Sequence, residues 1–204
     1  MSTLKLTKTE LRNQQTRLTQ FQRYLPTLQL KKAMLQFEVF SAEMEIVTLQ
    51  EGFRSLRSHL ETFSPFFLEK VEVNLLEYAE VLHVKKHYEN IAGVEVPLFE
   101  KVVFKEAGYP LLDTPAWTDR ATELVREFAT NREKIAVAEE KKRALEKELR
   151  DVSIRVNLFE KILIPRAQSN MAKIRIFLSD QQLAAVAQAK VAKNKIAKLK
   201  RVAS

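Results

Sequence analysis

Stepping by seven residues from the start of the chain meets Leu4, Leu11, Leu18, Leu25, Lys32, Val39, Ile46, Phe53 and Leu60. The companion positions are Thr7, Gln14, Phe21, Leu28, Leu35, Ala42, Leu49, Leu56 and Phe63. Only Thr7, Gln14 and Lys32 interrupt this apolar seam of eighteen positions. A strict seven-residue repeat of that length predicts a helix held by another helix in a left-handed supercoil. A second seam runs through Ala121, Leu124, Phe128, Ile135, Ala138, Leu145, Leu149, Val152, Val156, Phe159 and Leu163, with Asn131 and Lys142 as its polar interruptions. Near Pro165 the stripe slips by one residue, to Ile164, Ala167, Met171, Ile174, Leu178 and Ala185. The polar seam residues Lys32, Asn131 and Lys142 are candidate register markers, or places where the helices splay.

The first helix is predicted over about 4–63. Thr7 or Thr9 suits its N-cap, and Glu10 stands three residues after Thr7, the capping-box spacing. Pro26 removes one backbone donor and predicts a local bend, because the heptad phase continues through it. Ser64-Pro65 ends the helix. The second helix is predicted from Pro115, capped by Thr114, towards residue 200. Between them lies an insertion of different character. A short helix is predicted near 66–82, followed by a turn at Asn90-Ile91-Ala92-Gly93. The short β-branched and aromatic runs at 94–99 and 102–104 then read as strands. The fold class is therefore mainly α: a long antiparallel two-helix coiled coil with a central insertion containing a short helix and a β-hairpin. The domains are 1–63, 64–114 and 115–204. The first helix would be about 90 Å long. If Leu60 lies near Leu124, equal rise along both helices makes paired residue numbers add to about 184 and places Leu4 near Asp180.

The candidate coiled-coil interface is Leu11, Leu18, Leu25, Val39, Ile46, Leu49 and Leu56 on one side. Leu145, Leu149, Val152, Val156, Phe159 and Leu163 face them from the other.

Composition narrows the function. There are three glycines, six prolines and 29% charged residues, too few turn residues for an ordinary compact fold. With no cysteine, disulfides and thiolate metal sites are excluded, which fits a reducing compartment. No apolar run reaches the roughly 20 residues that span a bilayer, and no secretory h-region opens the chain. The net charge of +8 is uneven: residues 1–63 carry +3, 64–118 carry −4 and 119–204 carry +9. No acid follows Asp180, whereas Lys190, Lys193, Lys195 and Lys198 do. Such a tail is either a solvated helix end complementing the helix dipole or a surface for an acidic partner.

Catalytic motifs are absent: no phosphate loop, dinucleotide fingerprint or HExxH occurs. Glu80, His83 and His87 would share one face of a helix and form a candidate metal ligand set. The adjacent Lys85 and Lys86 oppose a cation there, so no metal and no cofactor is expected. Trp117 is either packed where the second helix leaves the insertion or a partner anchor. Val94, Val96 and Phe99, with Lys190, Lys193, Lys195 and Lys198, are the candidate partner-binding residues. An exposed strand there also suits strand addition, with a closed hairpin as the simpler alternative.

Three segments carry a family resemblance. Arg155-Val156-Asn157-Leu158-Phe159-Glu160 through Ile164-Pro165 is similar to the RVNALE…IP signature of the D subunit of the V-type and A-type rotary ATPases. Thr7 to Leu11, with Leu30-Lys31-Lys32, resembles that family's opening helix, and Ala92-Gly93-Val94-Glu95-Val96-Pro97 resembles its AGV-x-[VL]-P segment. The matches occur in family order and cover almost the whole chain. Thr7-Lys8-Thr9 departs from the family's Pro-Thr-Arg, and Pro26 is unusual for it.

The resemblance implies a non-catalytic central-stalk shaft. Its coiled coil would enter a hexamer of A and B subunits, coupling ATP hydrolysis or synthesis to ion translocation through a membrane ring. It implies the F subunit of the central stalk and a stalk-to-ring linker as further partners. It also implies a peripheral location on the cytoplasmic side of a membrane, with no nucleic acid and no direct membrane insertion. The alternative is a cytosolic coiled-coil adaptor or nucleic-acid-associated protein using the basic tail, which steep salt dependence would reveal.

Overall fold

The computed structural model describes residues 4–63, 79–106, 115 and 117–202. Helix α1 spans Lys8–Phe63, strand β1 Val81–Ile91 and strand β2 Val94–Phe104. Helix α2 spans Thr118–Leu158. A π-helical turn at Phe159–Leu163 joins it to helix α3, Ile164–Val202. The chain divides into two compact units. A terminal unit combines Met1–Leu30 with Ser153–Ser204, and a central unit holds Lys31–Val152.

Helix α1 begins four residues later than the seam suggested. Thr7 is its cap: its Oγ1 accepts the Glu10 backbone N–H at 3.2 Å. The reciprocal half of the capping box does not form, because Glu10 Oε1 accepts from Gln14 Nε2 at 2.7 Å instead. Pro26 lies inside α1 without ending it. From Leu4 to Leu56 every described seam position is buried or half-buried except Thr7, and Leu35 and Ala42 have no exposed surface.

The helices run antiparallel within each unit. In the central unit Lys31 meets Glu148, Glu43 meets Lys142, Glu45 meets Lys141, and Phe53 stacks on Phe128 with ring centroids 4.3 Å apart. In the terminal unit Phe21 meets Phe159. These pairs have residue numbers adding to between 179 and 186, beside the 184 expected. Leu4, however, precedes the helix, and the α3 residues around its cleft are Arg166, Ala167 and Asn170 rather than Asp180.

The slip near Pro165 has a physical cause. In the π turn the Ile164 N–H reaches back five residues to the Phe159 carbonyl. Pro165 has no N–H to give to Lys161, and its ring crowds that carbonyl, so an ordinary α turn is costly there and the wider π turn relieves it. One extra residue per turn advances the seam by one position. Ala167, Met171 and Ile174 are accordingly buried, at 4%, 8% and 0% exposure. Ala185, expected on the same stripe, is exposed.

The predicted short helix near 66–82 falls largely outside the described residues, and its last two positions, Val81 and Leu82, open β1. The two runs expected as strands, 94–99 and 102–104, form one strand, β2, and its partner is β1, which the sequence did not mark as a strand; each has eleven residues. The hairpin register pairs Ile91 with Val94 and Val81 with Phe104, with irregularities between Val81 and His83 and between Lys85 and Lys86. The turn uses Ala92 at φ 52° and Gly93 at φ 81°. Two consecutive positive φ values are the mark of a type I′ turn, whose twist suits a two-residue hairpin. Asn90 Oδ1 accepts the Gly93 N–H at 2.9 Å. Thr114, the expected cap of the second long helix, lies outside the described residues. Helix α2 begins at Thr118, whose N–H donates to the Pro115 carbonyl. Trp117 is half-buried immediately before it.

Candidate functional site

The expected interface residues separate by depth. Leu145, Val152 and Val156 are buried to 3% exposure or less, and Ile46 to 9%. Leu11, Leu18, Leu25, Val39, Leu49, Leu56, Leu149, Phe159 and Leu163 are half-buried. A seam flanked by only two helices leaves its larger side chains open at the edges, which explains this grading.

The hairpin is seated inside the central unit. Val96 has no exposed surface and Pro97 is also buried, while Val94 and Phe99 are half-buried. Lys134 lies over the Phe99 ring at 5.6 Å. Arg126 lies over the Phe104 ring at 5.4 Å and donates to the Lys105 carbonyl at 2.8 Å. Lys86 donates to Glu140, and that hydrogen bond raises its pKa above the ordinary value. Because β2 faces these side chains, β1 is the more exposed strand, with Leu82 and Tyr88 at 60% and 59% exposure.

A strand also disposes of the Glu80, His83 and His87 constellation. Residues four apart on a strand are roughly 13 Å apart, too far to share one ion, whereas on a helix they are neighbours. His83 pairs with Val103 and His87 with Leu98 along the ladder. Among the described residues no group of three His, Asp or Glu side chains is placed to hold a metal ion.

Charge divides between the units more sharply than along the sequence. The terminal unit carries sixteen Lys and Arg against three acids, a net +13, whereas the central unit is at −5. The central unit satisfies many of its cations internally. Lys31 reaches Glu148 at 2.7 Å, Lys141 reaches Glu45 at 3.0 Å, and Lys142 reaches Glu43 at 2.8 Å and Glu146 at 3.6 Å. Among the described residues of the terminal unit there is no ion pair. Lys190, Lys193, Lys195 and Lys198 are all exposed, as are Leu183, Val186, Val191 and Ile196. Sequence spacing could not reveal this contrast, because it depends on which residues the helix pairing brings together. No described helix is long and apolar enough to cross a membrane.

Comparison with known proteins bears on this arrangement. Residues 10–194 match the family model for the ATP synthase D subunit. The chain is 43% identical over 196 residues to the V-type ATP synthase D subunit of Chlamydia abortus, covering 96% of this chain and 94% of the relative. The corresponding protein of Chlamydia felis is 44% identical with the same coverage. That of Chlamydia trachomatis serovar L2 is 44% identical over 204 residues, covering 96% and 97%.

Proposed function

The chain belongs to the family of ATP synthase D subunits, components of a rotary ATPase, and on that premise we propose that it is the complex's non-catalytic central-stalk shaft. It couples ATP hydrolysis or synthesis in a hexamer of A and B subunits to ion movement through a membrane ring. The observation that carries this reading is the contrast between the two units. The terminal unit is a slender helix pair with a net +13 and no internal ion pair among its described residues. Its unsatisfied cations suit an enclosing partner of opposite or carbonyl-lined character. The central unit ties its lysines to its own glutamates, which suits a region presenting shape more than charge.

In this reading the domains are the helical segments 1–63 and 115–204 and the insertion 64–114. The A and B subunits surround the terminal unit, where Lys190, Lys193, Lys195 and Lys198 face them. The F subunit and the stalk-to-ring linker engage the central unit. Val94 and Phe99 offer their exposed edges to those partners, and Val96 acts from beneath by anchoring β2. The shaft is peripheral, on the cytoplasmic side. Rotation presents different faces of one asymmetric shaft to successive A/B pairs, and differential contact shifts each pair between conformations.

The test is reconstitution. The purified chain is mixed with a hexamer of A and B subunits, and binding and ATP turnover are measured. A stable one-to-one complex with altered turnover supports the proposal. Failure to join the hexamer, with tight salt-sensitive binding to duplex DNA instead, replaces the shaft with the nucleic-acid reading.

A further inference from the structure

A cleft of about 540 Å3 opens in the terminal unit between the start of α1 and the part of α3 just beyond the π turn. Its polar lining is Lys5, Glu10, Gln14, Arg17, Arg166 and Asn170. Glu10 is occupied with Gln14, which is itself 7% exposed. The side chains of Lys5, Arg17 and Arg166 have no hydrogen-bond or ion-pair partner among the described residues. Three exposed cations without a partner among the described residues thus line the cleft beside one engaged carboxylate.

The π turn is what puts Arg166 there. Continued past Leu163, the heptad would place residues 166 and 170 in the seam. A seam arginine would be an unpaired buried charge, a strongly destabilising arrangement. The extra residue in the turn gives those places to Ala167 and Met171 and brings Arg166 and Asn170 to the cleft wall. π turns sacrifice helical regularity and recur at functional sites.

We propose that this cleft is a receptor for a carboxylate-rich segment of the subunits that surround the shaft, an inference that rests on the shaft reading. Arg17 and Arg166 come from two different helices, so one acidic segment bridging them would engage both. Guanidinium forks pair with carboxylates in two parallel hydrogen bonds, which gives orientation as well as attraction. A small dianion from solution fits less well. The cleft is much larger than one phosphate, it is open to solvent, and Glu10 on its wall repels a compact double charge. Several side-chain carboxylates spread over the same space can each take one cation and keep clear of Glu10.

The experiment uses the full chain and the hexamer of A and B subunits. Arg17→Glu with Arg166→Glu is expected to weaken binding by roughly tenfold or more, the scale of losing close charge pairs at an interface. The charge-matched control is Arg12→Glu with Lys173→Glu, two exposed positions of the same unit outside the cleft. It is expected to cost less than about threefold. Circular dichroism of each variant reports helicity, and the milder Arg17→Gln with Arg166→Gln variant repeats the measurement if charge reversal disturbs the fold. Equal losses for the cleft and control variants would mean a diffuse field and overturn the receptor. No loss in either cleft variant would overturn it as well. Inorganic phosphate or ATP is titrated calorimetrically into the isolated chain. Binding that the cleft variants abolish and that blocks hexamer assembly would replace the protein segment with a small anion. If the unaltered chain itself fails to join the hexamer, the shaft reading falls and takes this inference with it. Normal assembly of the unaltered chain alongside normal assembly of the cleft variants sinks only the receptor.

Discussion

The Phe21 ring meets Phe159 edge-on, with centroids 5.3 Å apart and an interplanar angle of 79°. Each ring comes from a different helix of the terminal unit, at the point where the π turn begins. Phe159→Ala should therefore lower stability by about 2 kcal/mol, less than a fully buried phenylalanine would cost because the ring is half-buried. A double-mutant cycle with Phe21→Ala in urea denaturation should return a coupling of about 1 kcal/mol. A coupling near zero would mean that the rings touch without contributing to the pairing.

The turn at Ala92-Gly93 offers a gain and a loss. An alanine at positive φ is strained by its Cβ, and asparagine tolerates that region better. Ala92→Asn should stabilise by roughly 0.5–1 kcal/mol, and Gly93→Ala should destabilise by about 1 kcal/mol, both read from thermal unfolding. Crowding does not drive the second effect. Lys31 Nζ lies 3.6 Å from where a Cβ would stand, an ordinary contact, so the backbone angle alone is responsible.

Lys142 contributes to the alkaline limb of stability, as does Lys86. The Lys142 hydrogen bond to Glu43 comes first among the causes that hold its pKa above the ordinary 10.5. The folded state therefore favours the ammonium form. That contribution is fully present below the ordinary pKa and is lost as pH rises through the raised one. The midpoint of thermal unfolding should fall as pH climbs past about 10.5, and Lys142→Met should make the fall shallower. An unchanged slope would assign the alkaline loss elsewhere.

Deleting Lys161 tests the π turn. It removes the extra residue, so Val156, Phe159, Ile164, Ala167, Met171 and Ile174 fall into one unbroken heptad phase. Helicity by circular dichroism should be largely retained, while the thermal midpoint should drop, because Pro165 then stands in an ordinary α turn at a cost of about 3 kcal/mol. If the protein instead unfolds, the π turn is required for the pairing itself and not only for presenting Arg166.

The tip can be separated from the seam. Truncation after Asp180 removes exposed lysines whose individual ion pairs are worth roughly 0–1 kcal/mol each. Assembly with the hexamer should weaken and some rotation-linked ATP turnover should remain. Val156→Asp together with Phe159→Asp places charge in the seam, where Val156 is 3% exposed, and should abolish coupling. Equal damage from both changes would make the tip a drive element.

The long seams were readable because nothing competes with them: with a heptad repeat, residue type alone decides the face. The slip at Pro165 was visible in the apolar spacing, but its cause, a five-residue hydrogen bond to Phe159, was not. Strand β1 was missed because only one side of the hairpin is packed and the bulge at Lys85 and Lys86 breaks alternation, so Val81–Ile91 shows no clean period of two. The three cations of the cleft were invisible for another reason. Arg17 and Arg166 stand far apart in sequence, and only the antiparallel pairing brings them to one wall.

Lys31 joins three segments that are remote along the chain: it pairs with Glu148 on α2 and lies against the hairpin tip at Gly93. The hairpin can close by itself within microseconds, since its strands are adjacent in sequence. Its seat cannot exist until residues 117 positions apart have found each other. Docking is therefore a late event in folding and its reversal an early one in opening. Amide exchange along Val94–Phe104 would act as a clock for whether the two long helices are engaged.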